Sequence, residues 1–171
     1  MHKLLVGIAI AGLAAAPLAA RAGPVLELSA GMGSQLQPSV LRAPTTVMLA
    51  PGWGLAGILK LELGLVATLG DAMKAKTDVE LRPMVVVSPP LFPLYARAIF
   101  AVQNLANGPT QLAYGGALGL SFGIPLTGFG LFAELGVLPR TAKDVPVAGS
   151  TTTKDEFRWF GEGRVGASYE F

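Results

Sequence analysis

The chain has 171 residues, of which 51% are apolar and 14% charged, with no cysteine and a single histidine. That length suits one domain, and the missing thiols exclude both disulfides and thiolate metal sites. Thirteen Lys and Arg against eleven Asp and Glu leave a formal net charge of only +2, and no basic stripe of the kind a nucleic acid requires is present.

At the N-terminus, Met1, His2 and Lys3 make a short positive segment, followed by an apolar run from Leu4 to Leu18. Ala20-Arg21-Ala22 then puts small residues at the two positions a signal peptidase reads. This is the layout of a secretory signal peptide cleaved after Ala22. A membrane-spanning helix needs about 20 apolar residues, more than the run supplies. The absence of a cysteine behind it excludes a lipid-anchored lipoprotein. The expected organisation is a signal peptide at 1–22 and one domain at 23–171. Without the signal, eleven Lys and Arg face eleven Asp and Glu, and no histidine remains.

The rest of the chain alternates apolar and other residues with period 2, the signature of strands. In 25–33, Leu26, Leu28, Ala30 and Met32 oppose Glu27, Ser29 and Gly31. A second strand falls between 46 and 57, carrying Val47, Leu49, Trp53 and Leu55 but interrupted by Pro51 and glycines. In 59–69, Leu59, Leu61, Leu63, Leu65, Ala67 and Leu69 oppose Lys60, Glu62, Gly64, Val66 and Thr68. Leu, Lys and Glu are good helix formers, but a helix would scatter these leucines around its circumference. In 78–87, Val79, Leu81, Val85 and Val87 oppose Asp78, Glu80, Arg82 and Met84; in 94–103, Leu94, Ala96, Ala98, Phe100 and Val102 oppose Tyr95, Arg97 and Gln103. In 112–123, Leu112, Tyr114, Leu118, Leu120 and Phe122 oppose a face of Ala, Gly and Ser. In 129–138, Phe129, Leu131, Ala133, Leu135 and Val137 oppose Glu134 and small residues. In 157–171, Phe157, Trp159, Val165, Ala167, Tyr169 and Phe171 oppose Arg158, Glu162, Arg164, Ser168 and Glu170.

Eight strands joined by alternating connections follow. Polar loops are expected at 34–45, 70–77, 104–111 and 139–156, and tight Gly- or Pro-rich turns at 54–57, 88–93 and 124–128. Transmembrane barrels show this asymmetry, with short periplasmic turns and long outer loops, and an even strand count puts both termini on the periplasmic side. The large, almost purely apolar face suits lipid. The opposite face, small residues beside isolated charges, suits the narrow interior of an eight-stranded barrel. The expected fold is thus all-β: a closed antiparallel up-and-down transmembrane barrel.

Here the chain resembles the small eight-stranded outer-membrane barrels of the OmpA transmembrane-domain and OmpX type. The residues that carry the resemblance are the last strand, Val165-Gly166-Ala167-Ser168-Tyr169-Glu170-Phe171, apolar or aromatic at every second position and ending on Phe. It implies a location in the outer membrane of a Gram-negative bacterium and contact with outer-membrane lipids. It also implies that Val165, Ala167, Tyr169 and Phe171 form the signal read by the outer-membrane assembly machinery.

Lys60, Glu62, Glu80, Arg82, Arg97, Glu134, Arg158, Glu162 and Arg164 then become a charge network in the lumen, with Glu27 and Glu170 nearer its rims. Buried unpaired charges are costly, so these groups should pair, and we expect Glu62 with Arg82 on neighbouring strands. Trp53, Trp159, Tyr114, Tyr169 and Phe171 fit the aromatic girdles at the bilayer surfaces. The longest loop carries Lys143, Asp144, Lys154 and Asp155 and reads as solvated, with no partner named by its sequence.

Catalysis finds little support. No histidine survives for a triad or zinc site, and neither a G-x-S-x-G elbow nor a phosphate loop is present. Neither an enzyme nor a bound cofactor is expected. The expected role is structural or adhesive, with a lumen closed by small residues and salt bridges. A small ion- or solute-conducting pore, or a soluble periplasmic barrel holding a lipophilic ligand, are the alternatives. Mass spectrometry of the exported protein should find Gly23 at its N-terminus; an intact Met1 on the folded protein would defeat the signal-peptide assignment.

Overall fold

A computed structural model of the protein describes residues 22–37, 45–55, 57–69, 77–89, 92–106, 110–146 and 153–171; side chains at 35, 37, 140–146 and 153–157 are left aside. The expected signal peptide lies outside the described residues except for Ala22, and so does most of the loop expected at 70–77.

Eight strands follow one another: β1 Gly23–Gln37, β2 Thr45–Leu55, β3 Leu59–Thr68, β4 Asp78–Val87, β5 Leu94–Gln103, β6 Gln111–Gly123, β7 Phe129–Pro146 and β8 Thr153–Glu170. Each pairs antiparallel with its sequence neighbours, and β1 also pairs with β8, which closes the sheet into a barrel. Val25 lies between Gly52 of β2 and Glu170 of β8, and Gly31 between Thr46 and Arg164. Both described termini meet at one end, where Phe171 N donates to Pro24 O at 3.1 Å. The three tight turns share that end, which we call the turn end; the loops define the other.

Period-2 alternation becomes an inside and an outside. Along β5 every residue of the row Tyr95, Arg97, Ile99, Ala101 and Gln103 is buried, while Leu94, Ala96, Ala98 and Phe100 are exposed. On β3, Leu61, Leu63 and Leu65 stand about half exposed, and Glu62, Gly64 and Val66 between them are buried. The interior is less uniformly small than the sequence pattern implied. Met48, Ala50, Val66, Met84, Ile99, Ala101, Ala113, Ala117 and Leu138 form one buried apolar cluster, and Val86, Tyr95 and Phe132 a second toward the turn end.

The polar loop expected at 139–156 needs correction. β7 continues to Pro146 and β8 begins at Thr153, with Thr141 opposite Phe157 and Pro146 opposite Thr153. These residues lack the alternation of a wall with one apolar and one lumen face, yet a hairpin needs only backbone pairing to extend. The ladder is irregular between Ala142 and Val145. In the same way, β1 runs four residues beyond the expected Gly33, to Gln37.

Two glycines on the inner face of β6 are fixed by close approaches. A Cβ at Gly115 would lie 2.0 Å from the Val137 carbonyl oxygen, and one at Gly119 would lie 2.4 Å from Tyr95 Cζ. Gly119→Val should therefore push the Tyr95 ring from its seat and cost about 1–3 kcal/mol, the range for overpacking a filled interior. The midpoint of urea unfolding, compared with the wild type, measures it.

Candidate functional site

The inward charges gather into two linked clusters. The first centres on Arg97 of β5. Its Nη2 donates to Glu27 Oε2 on β1 at 2.7 Å, its Nη1 lies 3.4 Å from Glu62 Oε2 on β3, and its Nε lies 3.2 Å from Glu134 Oε2 on β7. All four side chains are almost completely buried. Glu134 Oε2 also accepts from Tyr95 Oη at 2.8 Å. The Arg97 guanidinium lies 5.6 Å from the Tyr95 ring centre and 5.7 Å from that of Phe132, within reach of cation–π attraction. The two rings meet edge to face at 6.3 Å. Among the described residues, neither Glu62 oxygen accepts an aligned hydrogen bond. Its link to Arg97 is therefore one of charge.

The second cluster lies nearer the loop end. Arg82 Nε donates to Glu80 Oε1 at 2.5 Å, and its Nη1 to Glu162 Oε2 at 2.7 Å. Arg164 donates to the other oxygen of Glu162, to Thr46 Oγ1 at 2.9 Å and to Ser29 Oγ at 3.1 Å. Gln103 Nε2 completes Glu80 at 2.8 Å. Arg164 Nε stands 3.9 Å from Glu134 Oε1 and so links the two clusters.

At the turn end, Lys60 Nζ meets Glu170 Oε1 at 2.7 Å. At the loop end a cavity of about 200 Å³ opens above the second cluster, lined by Thr46, Asp78, Glu80, Arg82, Gln103 and Glu162 among others.

The expected partnership of Glu62 with Arg82 is not formed. Glu62 stands opposite Met84 and Arg82 opposite Gly64; Glu62 faces Arg97 of β5, and Arg82 pairs with Glu80 on its own strand and with Glu162 of β8. Arg158 lies further toward the loops, half-buried and opposite Arg140 in strand register. Tyr95, Gln103, Thr46 and Ser29 were overlooked as network members because they carry no charge, although inward parity and hydrogen-bonding capacity mark them. Among the described residues no group of three or more His, Cys, Asp or Glu could hold a metal ion.

On the outer face, Val165 and Phe171 are exposed and Ala167 and Tyr169 half-buried. Tyr169 packs on Phe129 with ring centres 4.6 Å apart and on Phe171 at 4.7 Å. Trp53, Tyr114 and Trp159 also point outward.

A closed antiparallel barrel of eight strands, wound up and down, is the fold of small outer-membrane barrel proteins. The chain is similar to the crystal structure of Neisserial surface protein A (NspA), with a TM-score of 0.56 and 11% identity over 87% of this chain and 97% of that one. It is also similar to the N-terminal β-barrel domain of Pseudomonas aeruginosa OprF, with a TM-score of 0.50 and 14% identity over 87% of this chain and all 100% of that one. At such identities the likeness is one of fold. No protein-family model and no curated protein matches the sequence.

Removing the Arg97 guanidinium tests the first cluster. Arg97→Met keeps most of the volume but leaves Glu27, Glu62 and Glu134 facing one another, and should cost about 3–5 kcal/mol, as for breaking a buried pair. Urea unfolding from lipid vesicles reads this loss, and the companion Arg97→Met, Glu62→Gln, Glu134→Gln protein should recover part of it.

Proposed function

We propose that the protein is an outer-membrane β-barrel with a structural or adhesive role, its lumen closed by interlocked side chains and without catalytic activity. The observation that carries this reading is the inverted polarity of the wall. Leu28, Leu63, Leu118, Leu131 and Leu135 are exposed outside, while Glu27, Glu62, Arg82, Arg97 and Arg164 are buried inside. A soluble monomer rarely exposes a contiguous apolar patch beyond a few hundred Å², whereas this belt surrounds the barrel. Closure of β1 on β8 leaves no edge strand, as the hydrocarbon core demands. The short turns then face the periplasm and the loops the exterior. The likeness to two outer-membrane barrels supports the same location.

Closure of the lumen is supported by the span of the Arg97 cluster, which reaches β1, β3, β5 and β7. An interior so charged gives no support to a lipophilic ligand within a soluble barrel. The outward residues of the last strand, Val165, Ala167, Tyr169 and Phe171, are proposed as the segment read by the assembly machinery, and the loops as the surface any adhesive partner would meet.

Two measurements test the reading. Leu63→Arg should hinder refolding into lipid vesicles by about 2–4 kcal/mol, the cost of arginine at the midplane of such barrels; unimpaired insertion would mean that this face does not meet lipid. Planar-bilayer recording of the wild type should show negligible current, and a steady ion-selective conductance would replace the closed barrel with a small pore.

A further inference from the structure

The turn end of the barrel is apolar to its tips. Residues 56–58, 88–93 and 124–128 contain no charged side chain. Turns bathed in water are dominated by Gly, Asn, Asp, Ser and Pro; here Ile58, Phe92, Ile124 and Leu126 are all exposed.

Leu126 is the most informative of them. Thr127 N donates to Ile124 O at 3.3 Å, closing a four-residue turn with Pro125 and Leu126 at its centre. Leu126 has φ +69°. Proline followed by a positive φ is the type II pattern, whose third position favours Gly or Asn. A leucine there accepts the steric penalty of the left-handed region, and its side chain is 99% exposed. The sequence thus places a large apolar group in a strained position where nothing among the described residues covers it.

The surface these residues belong to is continuous with the outer belt. Leu112, Tyr114, Leu118, Leu120 and Phe122 project outward from β6, and the row runs on into Ile124 and Leu126. Phe92 leads likewise into Leu94, and Ile58 adjoins Leu55. From 112 to 124 such a tilted strand climbs roughly 30 Å, against an apolar band of about 25 Å in barrels of this kind. At the turn end the row runs on into Ile124 and Leu126, while at the loop end it meets the exposed Thr110, with Leu69 and Leu105 also exposed there. The turns themselves carry no cation, and Lys60 close by is tied to Glu170.

We propose that the three turns are set into the headgroup–acyl boundary of the periplasmic leaflet, so that phospholipid itself covers Ile58, Phe92, Ile124 and Leu126. This rests on the membrane location proposed above and deepens it. Attachment is by apolar partition, without a part for anionic headgroups. A lipid surface fits better than a protein partner because the patch recurs at all three turns and joins the belt without a polar break.

The cysteine-free sequence allows a direct test. Single-cysteine proteins Ile58→Cys, Phe92→Cys and Leu126→Cys are labelled with an environment-sensitive fluorophore and refolded into phosphatidylcholine vesicles containing nitroxide lipids. Leu63→Cys and Leu118→Cys serve as belt references and Thr110→Cys as the water reference. The turn labels should be blue-shifted relative to position 110 and quenched more by headgroup-level than by mid-chain nitroxides, equally at low and high salt. Belt labels quenched while all turn labels behave like position 110 would overturn the proposal and leave the patch to a protein partner. Turn quenching that appears only with anionic lipid at low salt would overturn it too. Unquenched belt labels would overturn the membrane reading itself, and this inference with it.

Discussion

An eight-stranded barrel is just wide enough inside for side chains, and that dimension governs what each inward position can be. Bulk on one strand has to be matched by its absence on another. The Tyr95 ring occupies the place a side chain at Gly119 would take, and the Phe132 ring comes within 2.6 Å of where a Cβ at Gly166 would stand. Met48 and Met84 lean over Gly64 in the same way. With those gaps filled, the Arg97 guanidinium lies within reach of carboxylates on three other strands. The glycines are the complement that lets long side chains converge on the axis.

Charge in such an interior is not an obvious source of stability, since desolvation can exceed the Coulombic gain and well-packed apolar side chains often do as well. Its contribution here lies in the choice of one arrangement over others. A register slip of one residue moves every side chain to the opposite face. In this chain that slip would send Glu27, Glu62, Arg82, Arg97 and Glu134 outward and bring rows of leucine into a space sized for glycine and alanine. The apolar belt alone would tolerate several arrangements of the wall; the combination of belt and ion pairs favours one.

Much of this was legible in the sequence, because a wall with one apolar and one polar face writes a strict period of 2. The limits of β4 and β5 were read without error, and β3 and β6 to within one residue. The reading lost force where that constraint lapses. Beyond Leu138 the β7–β8 hairpin continues with no alternation to reveal it, and the polar composition of 139–156 looked like loop. The lumen was legible as a set of residues but not as a set of pairs. Glu62 and Arg82 do share the inward face of neighbouring strands, Glu62 opposite Met84 and Arg82 opposite Gly64. Beside the same-strand pairs Arg82–Glu80 and Arg164–Glu162, ion pairs also run across the barrel, joining Arg97 to Glu27 and Arg82 to Glu162. Partners separated by 70 and 80 positions depend on barrel curvature, which no local pattern records.

The seam between β1 and β8 carries a consequence for the order of events in folding. Val25 pairs with Glu170, so the first and last strands must find each other over nearly the whole chain. Every other seam can form between segments adjacent in sequence, but this one has to wait until the final residues have arrived. Contacts of such long range slow the search for the native state. Until the seam zips, two strands remain open-sided and prone to pairing with foreign chains. The time before ring closure is therefore the interval of greatest vulnerability to aggregation, and the ring, once shut, has no loose end from which to unravel.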